Sequence, residues 1–257
     1  MSPASVSGSA AADLFDLSSK VALVTGGSRG LGREMVLAFA RNGADVVIAS
    51  RKQDACDRVA EEVRALGRRA LGVAAHVGHW ADLERLSDAA YAEFGKVDIL
   101  VNNAGMSPLS PSSVETTEEL FDKVIGVNFK GPFRLSSLVG TRMVEHGGGS
   151  IINVSSSGAL FAAPRFGPYA GAKAALNALT HVFAREFGPT VRVNTISAGP
   201  FLTDIADHWT EESRSRTRSS VGHPGQPHEI VTTALYLASP ASSYTTAALI
   251  RVDGGLY

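Results

Sequence analysis

Tyr169 and Lys173 stand four residues apart in Tyr169-Ala170-Gly171-Ala172-Lys173. On a helix that spacing puts a phenol and an ammonium on one face, one turn apart. A free tyrosine titrates near ~10 and is a poor base at neutral pH. A nearby ammonium favours the phenolate and lowers that value, so the pair is a proton-transfer device. The same lysine can also hold the ribose of a cofactor. Thirteen residues before Tyr169, Ser156 lies in Val154-Ser155-Ser156-Ser157-Gly158. A hydroxyl there can hold a substrate oxygen as its charge changes. Ser155 and Ser157 are rivals for that task.

A second group of residues suits a phosphate. Thr25-Gly26-Gly27-Ser28-Arg29-Gly30-Leu31-Gly32 follows an apolar run directly and opens a helical pattern. Glycines let the backbone turn tightly and let a pyrophosphate approach, and the helix N-terminus offers free N–H groups. The spacing is Gly-x-x-x-Gly-x-Gly, which departs from the Gly-x-Gly-x-x-Gly dinucleotide pattern. A dinucleotide's 2′ position falls at the end of the second strand, about 20 residues on. An acidic residue there would favour NAD(H). This chain has Ser50-Arg51-Lys52 instead. Arg51, with Arg29 from the glycine-rich turn, suits a 2′-phosphate. NADP(H) is therefore the expected cofactor, with NAD(H) possible; the competing view is that Arg51 and Lys52 are solvated charges.

These residues need a frame. Short β-branched runs at 20–25, 45–49, 70–75, 97–101, 150–154, 191–196 and 248–252 read as seven strands. Helical patterns at 30–42, 53–66, 81–94, 117–146, 169–187 and 227–237 lie between them. The alternation predicts an α/β, Rossmann-type doubly wound parallel sheet with helices on both faces. The Tyr169 helix follows the fifth strand, and ligands gather at the carboxyl ends of parallel strands.

The chain has 257 residues, 44% of them hydrophobic, and neither repeat nor linker divides it. One domain over 18–257, after a loose arm at 1–17, is the expectation. The net charge of -1 gives no footprint for nucleic acid or an anionic membrane. One cysteine, Cys56, excludes an internal disulfide. No apolar run reaches the ~18 residues of a membrane span, and no signal peptide is legible, so the cytoplasm is the expected location.

In this order and at these spacings the motifs resemble the short-chain dehydrogenase/reductase family, single-domain type. The resemblance runs from Leu17 to Tyr257. It includes Asn102-Asn103-Ala104-Gly105, Asn128 in Gly126–Gly131, Gly199-Pro200 with Thr203, and Val252–Gly255. It implies an enzyme that transfers a hydride between NADP(H), or NAD(H), and a ketone or secondary alcohol. Tyr169 would be the general acid/base and Ser156 would orient the substrate oxygen. Lys173 would bind the nicotinamide ribose and lower the Tyr169 pKa. Asn128 would hold a relay water, for which the backbone must leave ideal helix. Asn103, Ala104 and Gly105 would line the adenosine, and Thr203 the nicotinamide amide. Asn102 looks more like a sheet pin. A homotetramer or homodimer is implied as well.

Three departures stand out. The family's Asp-Val after the third strand is His76-Val77 here; an imidazole can accept or donate toward adenine. Its Pro-Gly after the sixth strand is Ala198-Gly199. A glycine near the last strand is replaced in Thr246-Ala247-Ala248. No metal-ligand set accompanies His76 and His79. Phe161, Phe166 and Trp209 are candidate substrate contacts. Trp209, with Phe201, Leu202 and Ile205, either roofs the pocket from the polar stretch 203–219 or packs on the body. The alternative to an enzyme is a silent cofactor-binding relative acting as sensor or scaffold. A reductase of carbon–carbon double bonds is disfavoured, because such relatives usually have a longer Tyr-to-Lys spacing.

Overall fold

The computed structural model describes residues 11–204, 206 and 209–257. Seven strands form one sheet: β1 (Val21–Thr25), β2 (Asp45–Ser50), β3 (Ala70–Ala74), β4 (Ile99–Asn102), β5 (Gly149–Ser156), β6 (Val191–Ala198) and β7 (Leu249–Val252). The order is β3-β2-β1-β4-β5-β6-β7, and every pairing is parallel. The chain winds outward from β1 to β3, returns, and winds the other way from β4. The switch point is therefore between β1 and β4, where doubly wound sheets open a ligand crevice.

The helices are α1 (Ala11–Leu14), α2 (Gly30–Arg41), α3 (Gln53–Ala65), α4 (Trp80–Phe94), α5 (Glu118–Ile125), α6 (Gly131–Glu145), α7 (Gly167–Glu186), α8 (Glu211–Ser215) and α9 (Val231–Ala238). They cover both faces, which is why the central strands are continuous apolar runs. Alternate residues of β1 serve opposite faces. Ala22 and Val24 join the cluster with Phe39 of α2 and Leu237 of α9. Val21 and Leu23 join the one with Leu86 of α4 and Phe183 of α7.

The structure differs from the sequence expectations in three places that bear on the site. Leu17, assigned to the loose arm, is fully buried, and its N–H donates to the Asn42 carbonyl at 2.7 Å. The packed body thus begins before Ser18. β5 and β6 each run two residues further than their β-branched cores, so Ser156 is the last residue of its strand. The helix expected over 117–146 is interrupted by a π-turn at Gly126–Lys130. Pro132 follows at once and has no N–H to close an α-helical bond onto the Asn128 carbonyl. The Gly131 N–H reaches back to Gly126 instead.

Candidate active site

The β1–α2 turn presents helix α2 to the crevice without a side-chain cap, because Arg29 at the N-cap makes no capping bond. Its first N–H groups are thus open to an anion. Gly26 has φ 65, and a Cβ there would lie 2.8 Å from Asn103 Nδ2 and 3.0 Å from Ala104 Cα. At Gly32 it would lie 2.2 Å from the Gly26 carbonyl oxygen. Only glycine fits this close approach. Thr25 ties the turn to β4, its Oγ1 accepting from the Asn103 and Ala104 N–H groups at 3.0 and 3.1 Å. The Asn103 amide is spent on the Thr25 and Gly26 carbonyls. Leu31 packs its side chain against the core, and Gly30 lines the cleft; Ser28 and Gly32 belong to the same turn. This uncapped, glycine-lined cradle fits a pyrophosphate.

Arg51 and Lys52 stand exposed at the end of β2, with no ion pair among the described residues. Ser50 turns to Cys56, 3.1 Å between Oγ and Sγ. Arg29 is engaged: its Nη1 donates to Asp204 at 2.8 Å. Both partners are exposed, so the pair is worth at most about 1 kcal/mol. Asp204 follows Thr203, which packs against the cradle; a Cβ on Gly30 would come 3.3 Å from Thr203 Cγ2. The cleft between α2 and the segment after β6 holds about 440 Å³, with Thr203, Asp204 and Arg214 on its wall. Asp204 carried no signal in the sequence, because its role depends on two loops 175 residues apart meeting. Pro200 accepts from the Gly225 N–H at 2.9 Å. Gly199 abuts Asp253, whose Cα would be 2.5 Å from an added Cβ. Ala198, despite replacing proline, closes β6 in register with Val252.

Ser156 and Tyr169 come together around Gly158. A Cβ on Gly158 would sit 3.3 Å from Ser156 Oγ and 3.6 Å from Tyr169 Cε1. Ser156 Oγ also accepts the Gly158 N–H at 3.0 Å. Its rival Ser155 is spent, donating to the Lys173 carbonyl at 3.2 Å in the interior. Ser157 is buried in the short turn that follows β5. One turn along α7 from Tyr169, Lys173 is 3% exposed and donates to the Val154 carbonyl at 2.8 Å. Gly105 lies between it and Asn128: an added Cβ would be 3.0 Å from Asn128 Oδ1 and 3.6 Å from Lys173 Nζ. Asn128 is fully buried, its Oδ1 accepting from the Met106 N–H and its Nδ2 donating to the Met106 and Val124 carbonyls. Met106 was missed by sequence reasoning. It acts through its main chain, which residue type does not report.

The electrostatics correct one expectation. Lys173 was expected to lower the Tyr169 pKa. Burial instead holds the phenol above its usual value, offset in part by a hydrogen bond to Ser156. Lys173 is itself brought down to about 8 by burial. The Lys173 ammonium is turned to Val154, and burial favours the neutral phenol of Tyr169.

Asn102 pins the sheet, donating to Asn153 Oδ1 at 2.9 Å and Ser136 Oγ at 2.8 Å. Val77 packs its side chain on the core, and His76 stacks on His79 with ring centroids 4.3 Å apart. The three aromatic candidates do not converge. Phe166 lies beside Tyr169, centroids 6.2 Å apart. Phe161 is exposed, with the Arg251 guanidinium 5.0 Å over its ring. Trp209 is half-buried in the stretch after β6; Ile205 lies outside the described residues. That polar stretch contains the short helix α8. Among the described residues no acidic, histidine or cysteine cluster could hold a metal, and no helix is long and apolar enough to cross a membrane.

Comparison with known proteins agrees with this geometry. Residues 26–257 match the family described as Enoyl-(Acyl carrier protein) reductase. An uncharacterised oxidoreductase of Mycobacterium tuberculosis is 42% identical over 249 residues, covering 95% of this chain and 94% of its own. The human dehydrogenase/reductase SDR family member 4 is 36% identical, covering 93% and 88%. A solved 7α-hydroxysteroid dehydrogenase, complexed with NADH and 7-oxo glycochenodeoxycholic acid, superposes with a TM-score of 0.91 at 33% identity, over 96% of this chain and 98% of that one. The Rossmann-type sheet, the ordered motifs and these relatives agree: the chain belongs to the short-chain dehydrogenase/reductase family and is an oxidoreductase.

Proposed function

We propose that this protein interconverts a ketone and a secondary alcohol, with NADP(H) as preferred cofactor and NAD(H) as the lesser one. The observation that carries this is the meeting of Ser156 and Tyr169 at Gly158, with Lys173 and Asn128 behind them at Gly105. When bound, the cofactor supplies or accepts the hydride.

The chain's own residues do the rest. The Gly26–Gly32 turn and the N-terminus of α2 receive the pyrophosphate. Arg51, and Arg29 once released from Asp204, neutralise a 2′-phosphate. Ser50, His76, Val77, Asn103, Ala104 and Gly105 line the adenosine half, and Gly199, Pro200 and Thr203 the nicotinamide half. Ser156 donates to the substrate oxygen and fixes its distance from Tyr169. Tyr169, whose neutral form burial favours, delivers its phenolic proton to that oxygen in reduction; in oxidation its phenolate takes the proton from the alcohol. Lys173 holds the ribose and replaces the proton through a water. The Asn128 side chain is fastened to Met106, so the π-turn main chain is what holds that water. Phe166 borders the substrate. Phe161 and Trp209 are the outer contacts, which suits an apolar or ring-bearing substrate.

The test is a titration with NADPH and with NADH, followed by nicotinamide fluorescence, and then a ketone panel. Tight NADPH and weak NADH binding supports the role of Arg51. The reverse order removes the phosphate argument and leaves the enzyme class standing. A Tyr169→Phe variant should bind cofactor normally and lose turnover; retained turnover would overturn the mechanism.

A further inference from the structure

The loops that leave β4 and β5, neighbouring strands of the sheet, flank the space above Ser156 and Tyr169. Arg165 joins the two loops. Its Nε donates to the Ser110 carbonyl at 2.7 Å, and the Ser110 N–H donates back to the Arg165 carbonyl at 3.2 Å. Ser110 is a firm anchor: it is buried, and its Oγ accepts from Thr116 Oγ1 at 2.8 Å. Phe166, the next residue, sets its ring 6.2 Å from that of Tyr169. The arginine thus bridges the two walls one residue away from the ring that borders the proton donor.

Two features set Arg165 apart. Its φ is 74, a left-handed conformation that suits glycine and strains an L side chain. A turn alone would be more stable with glycine, and such strain gathers at ligand clamps. Its guanidinium is also only partly used. The Nε–H is spent on Ser110, whereas Nη1 and Nη2 make no hydrogen bond or ion pair among the described residues, and the residue is exposed. Other arginines around the site are engaged: Arg29 pairs with Asp204, and Arg251 with Asp253.

Nη1 and Nη2 form a fork that matches both oxygens of a carboxylate. The tether at Nε restricts the fork before a ligand arrives, so less freedom is lost on binding. The same two loops also present apolar surface, with Leu109 and Leu160 49% and 43% exposed. We propose that Arg165 is a specificity residue that takes an anionic end of the substrate, so that the preferred ketone is an apolar body ending in a carboxylate. This rests on the ketone–alcohol reading above.

The experiment reduces a series of aryl keto acids of increasing chain length, each beside its methyl ester, with NADPH and the full chain. The readout is the ratio of kcat/KM for acid over ester. In the wild type the ratio should reach about tenfold at the chain length that spans from Tyr169 to Arg165, carried by a lower KM. Raising the ionic strength should reduce it, because the fork is exposed. Arg165→Gly suits the left-handed turn and keeps the main-chain bond from Ser110, and should bring the ratio to about one. Arg165→Lys keeps the charge without the fork and should retain part of the preference. A wild-type ratio of one or less at every chain length, or a ratio that survives in Arg165→Gly, would overturn the proposal and leave the ketone reading intact. Turnover of neither acid nor ester, with NADPH bound, would overturn that reading, and the proposal with it.

Discussion

Replacing Lys173 with methionine should make the cofactor-free protein more stable while ending its turnover. Burial lowers this ammonium from 10.5 to about 8. That corresponds to about 3 kcal/mol of stability withheld at pH 7, where the group is still charged. The hydrogen bond to Val154 offsets about 1 kcal/mol of that cost. Lys173→Met removes both and keeps the volume, leaving a net gain of about 2 kcal/mol, or about 4–8 °C in Tm for a domain of this size. The sign follows from proton counting. Between about pH 8 and 10.5 the unfolded chain holds this proton and the folded chain does not, so stability rises with pH across that window. Below pH 8 both states hold it and the deficit is constant. The assay is thermal or denaturant unfolding of both proteins without cofactor from pH 7 to 10.5. The variant's advantage should be full at pH 7 and shrink as pH rises through the window. A variant less stable than wild type at pH 7, or an advantage that does not change with pH, would refute the argument from burial.

Ser156→Ala should lower kcat by about 10²–10³; because Ser156 pulls the phenol down, the rise of the oxidation rate with pH should also move to higher pH, read from a pH–rate profile. Arg51→Ala should weaken NADPH binding by about 10–100-fold and leave NADH binding nearly unchanged, as expected for a lost charge-assisted contact to the 2′-phosphate. Gly32→Ala should abolish binding of both, because its Cβ would meet a main-chain oxygen at 2.2 Å, and titration of folded variant protein checks it. Ala247 sits at φ 57, a region that favours glycine, so Ala247→Gly should stabilise the protein by about 1 kcal/mol with kcat unchanged, measured by unfolding and by steady-state rates.

Much of this protein is legible in its sequence, for reasons that are local. The run Val21–Val24 is apolar at every position because both sheet faces are covered, and it shows as a strand wherever it sits. The four-residue spacing of Tyr169 and Lys173 puts them on one helix face by geometry alone. Glycines at 26, 30 and 32 announce a close main-chain approach through their missing Cβ.

Other features depend on what distant segments bring. The helical period of 117–146 does not itself mark where the helix gives way; only the family resemblance pointed to Asn128, and the π-turn at Gly126–Lys130 lies there, with Asn128 bonded to Met106 and Pro132 behind it. Three consecutive serines are equivalent in the sequence. The fold spends Ser155 on the Lys173 carbonyl and sets Ser156 against Gly158 and Tyr169. Arg29 reads as a phosphate ligand until Asp204 arrives from the far side of the sheet. His76 can donate or accept until the Gly78 N–H takes its Nδ1, at 3.2 Å. Residue type and spacing determined which chemistry the chain carries. The tertiary structure decided which hydroxyl, which nitrogen and which charge remain free to perform it, because a polar atom's availability depends on every partner within about 3 Å, and those partners come from anywhere along the chain.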